Sequence, residues 1–96
     1  DQTTKVKGMF VHPEQINVVI AKHPEIKYAR LNVRHDAQQN DIMTLECEVQ
    51  SVSEDLEAAI VVSIRDVTKL SGSVNLVKRE TLPRDGKVID DQRKYD

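Results

Sequence analysis

The sequence predicts an α+β fold, a two-layer βαββαβ sandwich with two helices on one face of a mainly antiparallel sheet. Three observations carry this reading. Apolar residues recur at helical spacing in two segments, at Ile16, Val19 and Ile20 and again at Leu56, Ala59, Ile60, Ile64 and Val67. Between them, residues 29–33 and 43–49 alternate apolar and polar side chains on either side of the polar turn 36–40, as an antiparallel hairpin does. The short apolar run at residues 9–11, and the alternation of Val74 and Leu76 with Asn75 and Val77, stand outside the helices and supply the outer strands.

Taken in order, residues 1–7 are polar and read as a connector ending at Gly8, and Met9-Phe10-Val11 reads as a buried strand end. Pro13 suits the first position of a helix, where no amide donor is missed, and Glu14 suits the positive end of its dipole. Pro24 ends that helix. The hairpin that follows places Arg30 and Arg34 on one strand and Glu46 and Glu48 on the other, all on the wet face, where cross-strand charge pairs are expected to fix register. Ser51 and Glu54 have capping-box spacing before the second helix, either Ser51 or Ser53 can cap, and Gly72 reads as the residue just past its end. Val74 and Leu76 open the last strand. The organisation is thus a connector over 1–8, a compact unit over 9–80, and a tail over 81–96 that carries a Gly-Lys turn and is expected to order against a partner surface. This split βαβ (ferredoxin-like) arrangement hosts many unrelated functions, so chemistry must come from particular residues.

With 96 residues there is room for one core. Fourteen basic residues stand against 16 acidic ones, a net charge of −2, which supplies no footprint for nucleic acid or an anionic membrane. Two Tyr, one Phe and no Trp make no base-stacking platform. No apolar run approaches the roughly 20 residues of a membrane helix and no signal peptide opens the chain, so neither nucleic acid nor membrane is an expected partner. The single cysteine fits a reducing compartment, and the expected location is cytoplasmic. Cys47 falls on the apolar side of its strand, and His12, His23 and His35 stand at no zinc-ligand spacing, so no metal site is expected. There is no phosphate-binding glycine loop and no nucleophile elbow. The chain opens on Asp1 rather than Met, which suggests a piece of something larger.

The chemistry that remains lies at the two ends. Near the start, Asp1-Gln2-Thr3-Thr4-Lys5-Val6-Lys7-Gly8 leads into Met9-Phe10-Val11-His12-Pro13. Near the finish, Leu82-Pro83-Arg84-Asp85-Gly86-Lys87 joins a turn to a lysine. An ammonium on such a turn suits charge that develops between a carboxylate and a phosphate. Together the segments resemble the small C-terminal domain of the AMP-forming acyl-CoA synthetases, most closely the phenylacetate-CoA ligase type. Asp1, Lys5 and Gly8 stand where that superfamily has D-x-x-x-K-x-x-G, and residues 82–87 match its L-P-x-x-x-G-K-like stretch with one residue fewer between Pro and Gly. The ending Val88-Ile89-Asp90-Asp91-Gln92-Arg93, with Tyr95-Asp96, is similar to phenylacetate-CoA ligases in particular.

The resemblance implies a two-step ligase that uses ATP, magnesium and coenzyme A, all bound largely by a big N-terminal domain of the same chain, with no cofactor held by this segment. It implies that Asp1 is the hinge, that Lys87, set by Gly86, serves adenylation, and that Lys7, Gly8 and Met9 form a loop for thioester formation. It implies too that the segment alone is inactive. Asp90, Asp91 and Arg93 are read as braces of the tail. The competing reading is an ACT-like regulatory domain that binds a small molecule at an interface between copies.

Overall fold

The computed structural model describes residues 2–94. Eight elements follow one another: β1 (Thr4–Val6), β2 (Met9–Val11), α1 (Pro13–Ala21), β3 (Ile26–His35), β4 (Asp41–Val49), α2 (Glu54–Thr68), β5 (Ser73–Val77) and β6 (Ile89–Asp91). The α+β two-layer architecture is as expected. Four strands form the main sheet in the order β5-β4-β3-β6, with an antiparallel β3–β4 hairpin at its centre and a parallel strand on each edge.

Strand membership differs from the sequence reading at both ends. Residues 9–11 do not join the main sheet. They pair with Thr4–Val6, so most of the expected connector is a two-stranded ribbon. Its turn is Lys7-Gly8, with φ of 50° and 82°. Two consecutive positive φ values match the right-handed twist of a tight hairpin, and glycine takes one of them without strain. The ribbon buries Val6 and Val11 against the body but leaves Met9 and Phe10 in solvent, so the expected burial of residues 9–11 holds only for Val11. Phe10 lies under the Lys5 ammonium instead. The fourth strand of the main sheet comes from the tail. Leu31 N donates to Val88 O (2.8 Å) and Gln92 N to Val33 O (2.7 Å), which ties β6 along β3.

One face of the sheet is apolar. Ala29, Leu31 and Val33 of β3, Met43, Leu45, Cys47 and Val49 of β4, Val74 of β5 and Ile89 of β6 meet Ile16 and Val19 of α1 and Ile60 and Ile64 of α2 in one core. Register keeps like with like: Leu31 lies opposite Leu45 and beside Ile89, and Leu45 beside Val74. Helix α1 begins as expected at Pro13, and Gln15 Oε1 accepts from His12 N at 2.8 Å. Helix α2 is capped by Ser53, whose Oγ accepts from Leu56 N, rather than by a Ser51–Glu54 box. Its apolar stripe omits Ala59, which is exposed, and includes Ser63, bonded to His23 at 2.7 Å. The left-handed residue at its end is Lys69, not Gly72. Gly72 instead sits against the core, where a Cβ would stand 3.2 Å from Ile64 and 3.3 Å from Met43, tight enough that a neighbour would have to shift.

Candidate functional site: two exposed turns

The outer face of the sheet is polar, but its charges do not pair across the hairpin. Arg30 lies opposite Glu46, Arg34 opposite Ile42, and Glu48 opposite Tyr28. Among the described residues, neither arginine makes an ion pair with either glutamate. Both Arg30 and Glu48 are buried, and each turns outward to the tail. A buried charge is tolerated only when paired and hydrogen-bonded, and the tail supplies the partners.

Glu48 accepts from the backbone N–H of Glu80 (2.8 Å) and Leu82 (2.9 Å) and receives both terminal nitrogens of Arg84, at 2.7 and 2.8 Å. The Arg84 guanidinium, and then the two amides, hold its carboxyl at about 2, against an ordinary 4.5. Arg84 lies 3.9 Å over the Tyr28 ring, and the Tyr28 hydroxyl donates to Pro83 O. Arg30 donates to both oxygens of Asp85 at 3.0 Å and reaches Asp90 at 3.1 Å. Residues 80–92 thus make ordered contacts with this domain's own sheet, where the composition suggested a partner surface.

These bonds shape the Lys87 turn. Gly86 has φ 80°, and Asp85 Oδ1 accepts the Lys87 N–H at 3.1 Å. Asp85 and Asp90, both held by Arg30, flank the lysine on either side. The Lys87 side chain is 55% exposed, with Nζ 3.8 Å from Asp90 Oδ1. It stands at the rim of a groove of about 340 Å³ whose walls include Ile20, Tyr28 and Val88.

The second tip is the Lys7-Gly8 turn. Lys7 N donates to Asp41 Oδ2 at 2.7 Å. Asp41 is in turn paired with Arg93 (3.1 Å) and His35 (3.3 Å). Arg93, with a side chain only 4% exposed, also grips Asp91 at 2.8 Å and Thr4 at 2.9 Å. Arg93 chiefly, with backbone and Thr4 bonds, keeps the Asp91 carboxyl well below the usual carboxylate range. Asp91 and Arg93 thus fasten the ribbon to the sheet, and Asp90 braces the lysine turn. Beyond the turn, Gly8 faces open space and Met9 is half-exposed. Asp1, the expected hinge, lies outside the described residues.

The tips are far apart. Strand β6 runs beside Leu31–Val33 of β3, with Lys87 just before it and lining a groove together with Ala29, whereas the Lys7 turn is held at Asp41, which is opposite His35. Ala29 and His35 are six residue steps apart along β3, about 20 Å at the usual rise of a strand. Gly86 and Lys87 stand toward the Ala29 end of β3, with the Lys87 ammonium leaning to Asp90 beside Asn32, and Lys7, Gly8 and Met9 stand toward the His35 end. Sequence reasoning did not reach the roles of Glu48, Arg84 and Arg30.

The chain belongs to the AMP-binding enzyme C-terminal domain family, whose profile matches residues 8–93. That membership favours the ligase reading over the ACT-like one. The fold is shared with a domain of phenylacetate-coenzyme A ligase from Bacteroides vulgatus ATCC 8482, at a TM-score of 0.86 and 24% identity over 98% of this chain and 95% of that one. It is shared also with 2-hydroxyisobutyryl-CoA ligase in complex with 2-HIB-AMP and CoA in the thioesterification state, at 0.82 and 14% identity over 98% of this chain and 22% of that one. An anthranilate CoA ligase in complex with anthranoyl-AMP matches at 0.69 and 18% identity, over 92% of this chain and 18% of the other. The chain thus spans about a fifth of the length of these two ligases. No curated protein sequence matches it.

Proposed function

We propose that this chain is the mobile C-terminal domain of an ATP-dependent aryl-acid CoA ligase, with phenylacetate the acid to which the likeness points. The observation that carries the reading is an exposed ammonium and an exposed glycine turn on two separate turns of one domain, each tied to a different part of β3 and β4. A single docked orientation cannot bring both to one reaction centre, so a body built this way serves two steps by turning.

In the first step the acid's carboxylate oxygen attacks the α-phosphorus of ATP and pyrophosphate leaves. Negative charge gathers between carboxylate and phosphate, and Lys87 offers a compact cation there without giving up its proton. In the second step the thiol of coenzyme A attacks the adenylate carbonyl and AMP leaves. The Lys7-Gly8-Met9 turn then faces the centre, and glycine allows the backbone close to the pantetheine arm. Asp1 is the hinge in this reading. The large N-terminal domain is the partner and houses ATP, its magnesium and the acid pocket. Among the described residues no group of His, Cys, Asp or Glu side chains is arranged to hold a metal. In this reading the domain alone is inactive, because the sites for ATP and the acid lie in its partner domain.

Lys87→Ala in the ligase that carries this domain tests the reading. Adenylate formation, followed by acid-dependent pyrophosphate exchange, is expected to fall by about 100-fold or more. Thioester formation from supplied adenylate is expected to stay within about threefold, since the lysine has turned away. Equal losses in both half-reactions would contradict the assignment.

A further inference from the structure

The Gln2 side chain reaches 84 to 87 residues along the sequence to the backbone on both sides of Lys87. Its Nε2 donates to Gly86 O at 3.2 Å, and its Oε1 accepts from Val88 N at 2.6 Å and from Ile89 N at 3.0 Å. The carbonyl before the lysine and the two amides after it are thus held by one amide group. The bonds at Val88 and Ile89 are part-buried, where an unmade donor is costly. Asp85 and Asp90 hold the turn from the sheet side through Arg30. Gln2 holds the backbone of the same turn through three further bonds, and it is the residue directly after Asp1.

We infer that Gln2 is a positioning residue for Lys87, coupling the segment at the start of the chain to the lysine turn so that the two move as one piece. This rests on the role proposed for Lys87 in adenylation. The side chain has the right chemistry for the task. A primary amide alone among short side chains offers a donor and an acceptor side by side, as a neighbouring strand would. A carboxylate in its place keeps the acceptor for Val88 and Ile89 and loses the donor to Gly86. An alanine loses all three bonds.

The test compares Gln2→Ala, Gln2→Glu and Lys87→Ala in the full ligase by half-reaction and by hydrogen exchange of the peptide covering residues 86–90. Gln2→Ala is expected to lower the kcat of adenylation by roughly 10- to 100-fold, with the KM values for ATP and acid little changed, because a misplaced rather than missing ammonium is the defect. Protection of residues 86–90 falls in the same variant, and thioester formation from supplied adenylate stays within about threefold. Gln2→Glu keeps most of the protection and loses less adenylation than Gln2→Ala. Unchanged adenylation in Gln2→Ala beside a disabled Lys87→Ala overturns the positioning role and leaves the function of Lys87 intact. A Lys87→Ala enzyme that adenylates normally overturns the reading of Lys87 itself. Equal loss of both half-reactions in Gln2→Ala and Gln2→Glu also overturns the proposal, since it marks a general loss of structure.

Discussion

Cys47 and Glu48 are adjacent in β4 and point to opposite faces of one sheet, and both are fully buried. Burial first, and the Glu46 charge second, push the Cys47 thiol up to about 12, so it packs as a small neutral hydrophobe. Glu48 goes the other way because Arg84 and two amides favour its charged form. Its folded value is depressed, so its stabilisation is complete above the unfolded value of 4.5 and is lost as pH falls toward about 2. Melting temperatures of the wild type and Glu48→Gln, measured across that window, are expected to converge as pH falls, with the variant lower at pH 7. Parallel curves would contradict the assignment. The alternation that placed Glu48 on the outer face was legible in the sequence. Its partners were not, because Glu80, Leu82 and Arg84 lie 32 to 36 residues away and composition says nothing about which loop folds back.

The longer elements were legible because their period repeats over several turns or pleats. Two of the three-residue strands were not. β1 and β6 are too short for a period, and both lie in polar stretches that read as connector and tail. What fixes β1 is the turn after it, and there Lys7-Gly8 carried a signal weaker than the Asn-Gly or Asp-Gly pairs usual in tight hairpins. A stability test belongs to this element. At Gly8 a Cβ would meet nothing within 4 Å, so alanine is opposed only by the φ of 82°. Gly8→Ala is expected to cost about 1 kcal/mol, a fall of roughly 4–8 °C in melting temperature for a domain of this size. A much larger fall would mean that the turn packs against something within the domain.

At the scale of the whole molecule, the buried charges of the outer face explain how a domain with an ordinary core presents two ends stiffly. Arg30 and Glu48 hold the lysine turn, and Asp41 and Arg93 hold the glycine turn. The core between them is apolar scaffold and joins one set to the other through β3. The two end motifs were legible in the sequence. Their separation was not, since it follows from β6 lying parallel to β3, a pairing set by three residues.

That separation is tested most directly by the ratio of the two half-reaction rates in Lys87→Ala and in Gly8→Ala, measured in the same full-length ligase. Lys87→Ala should depress acyl-adenylate synthesis relative to acyl transfer onto coenzyme A, and Gly8→Ala should move the ratio in the opposite direction. If both variants shift the ratio the same way, the two ends do not serve successive steps.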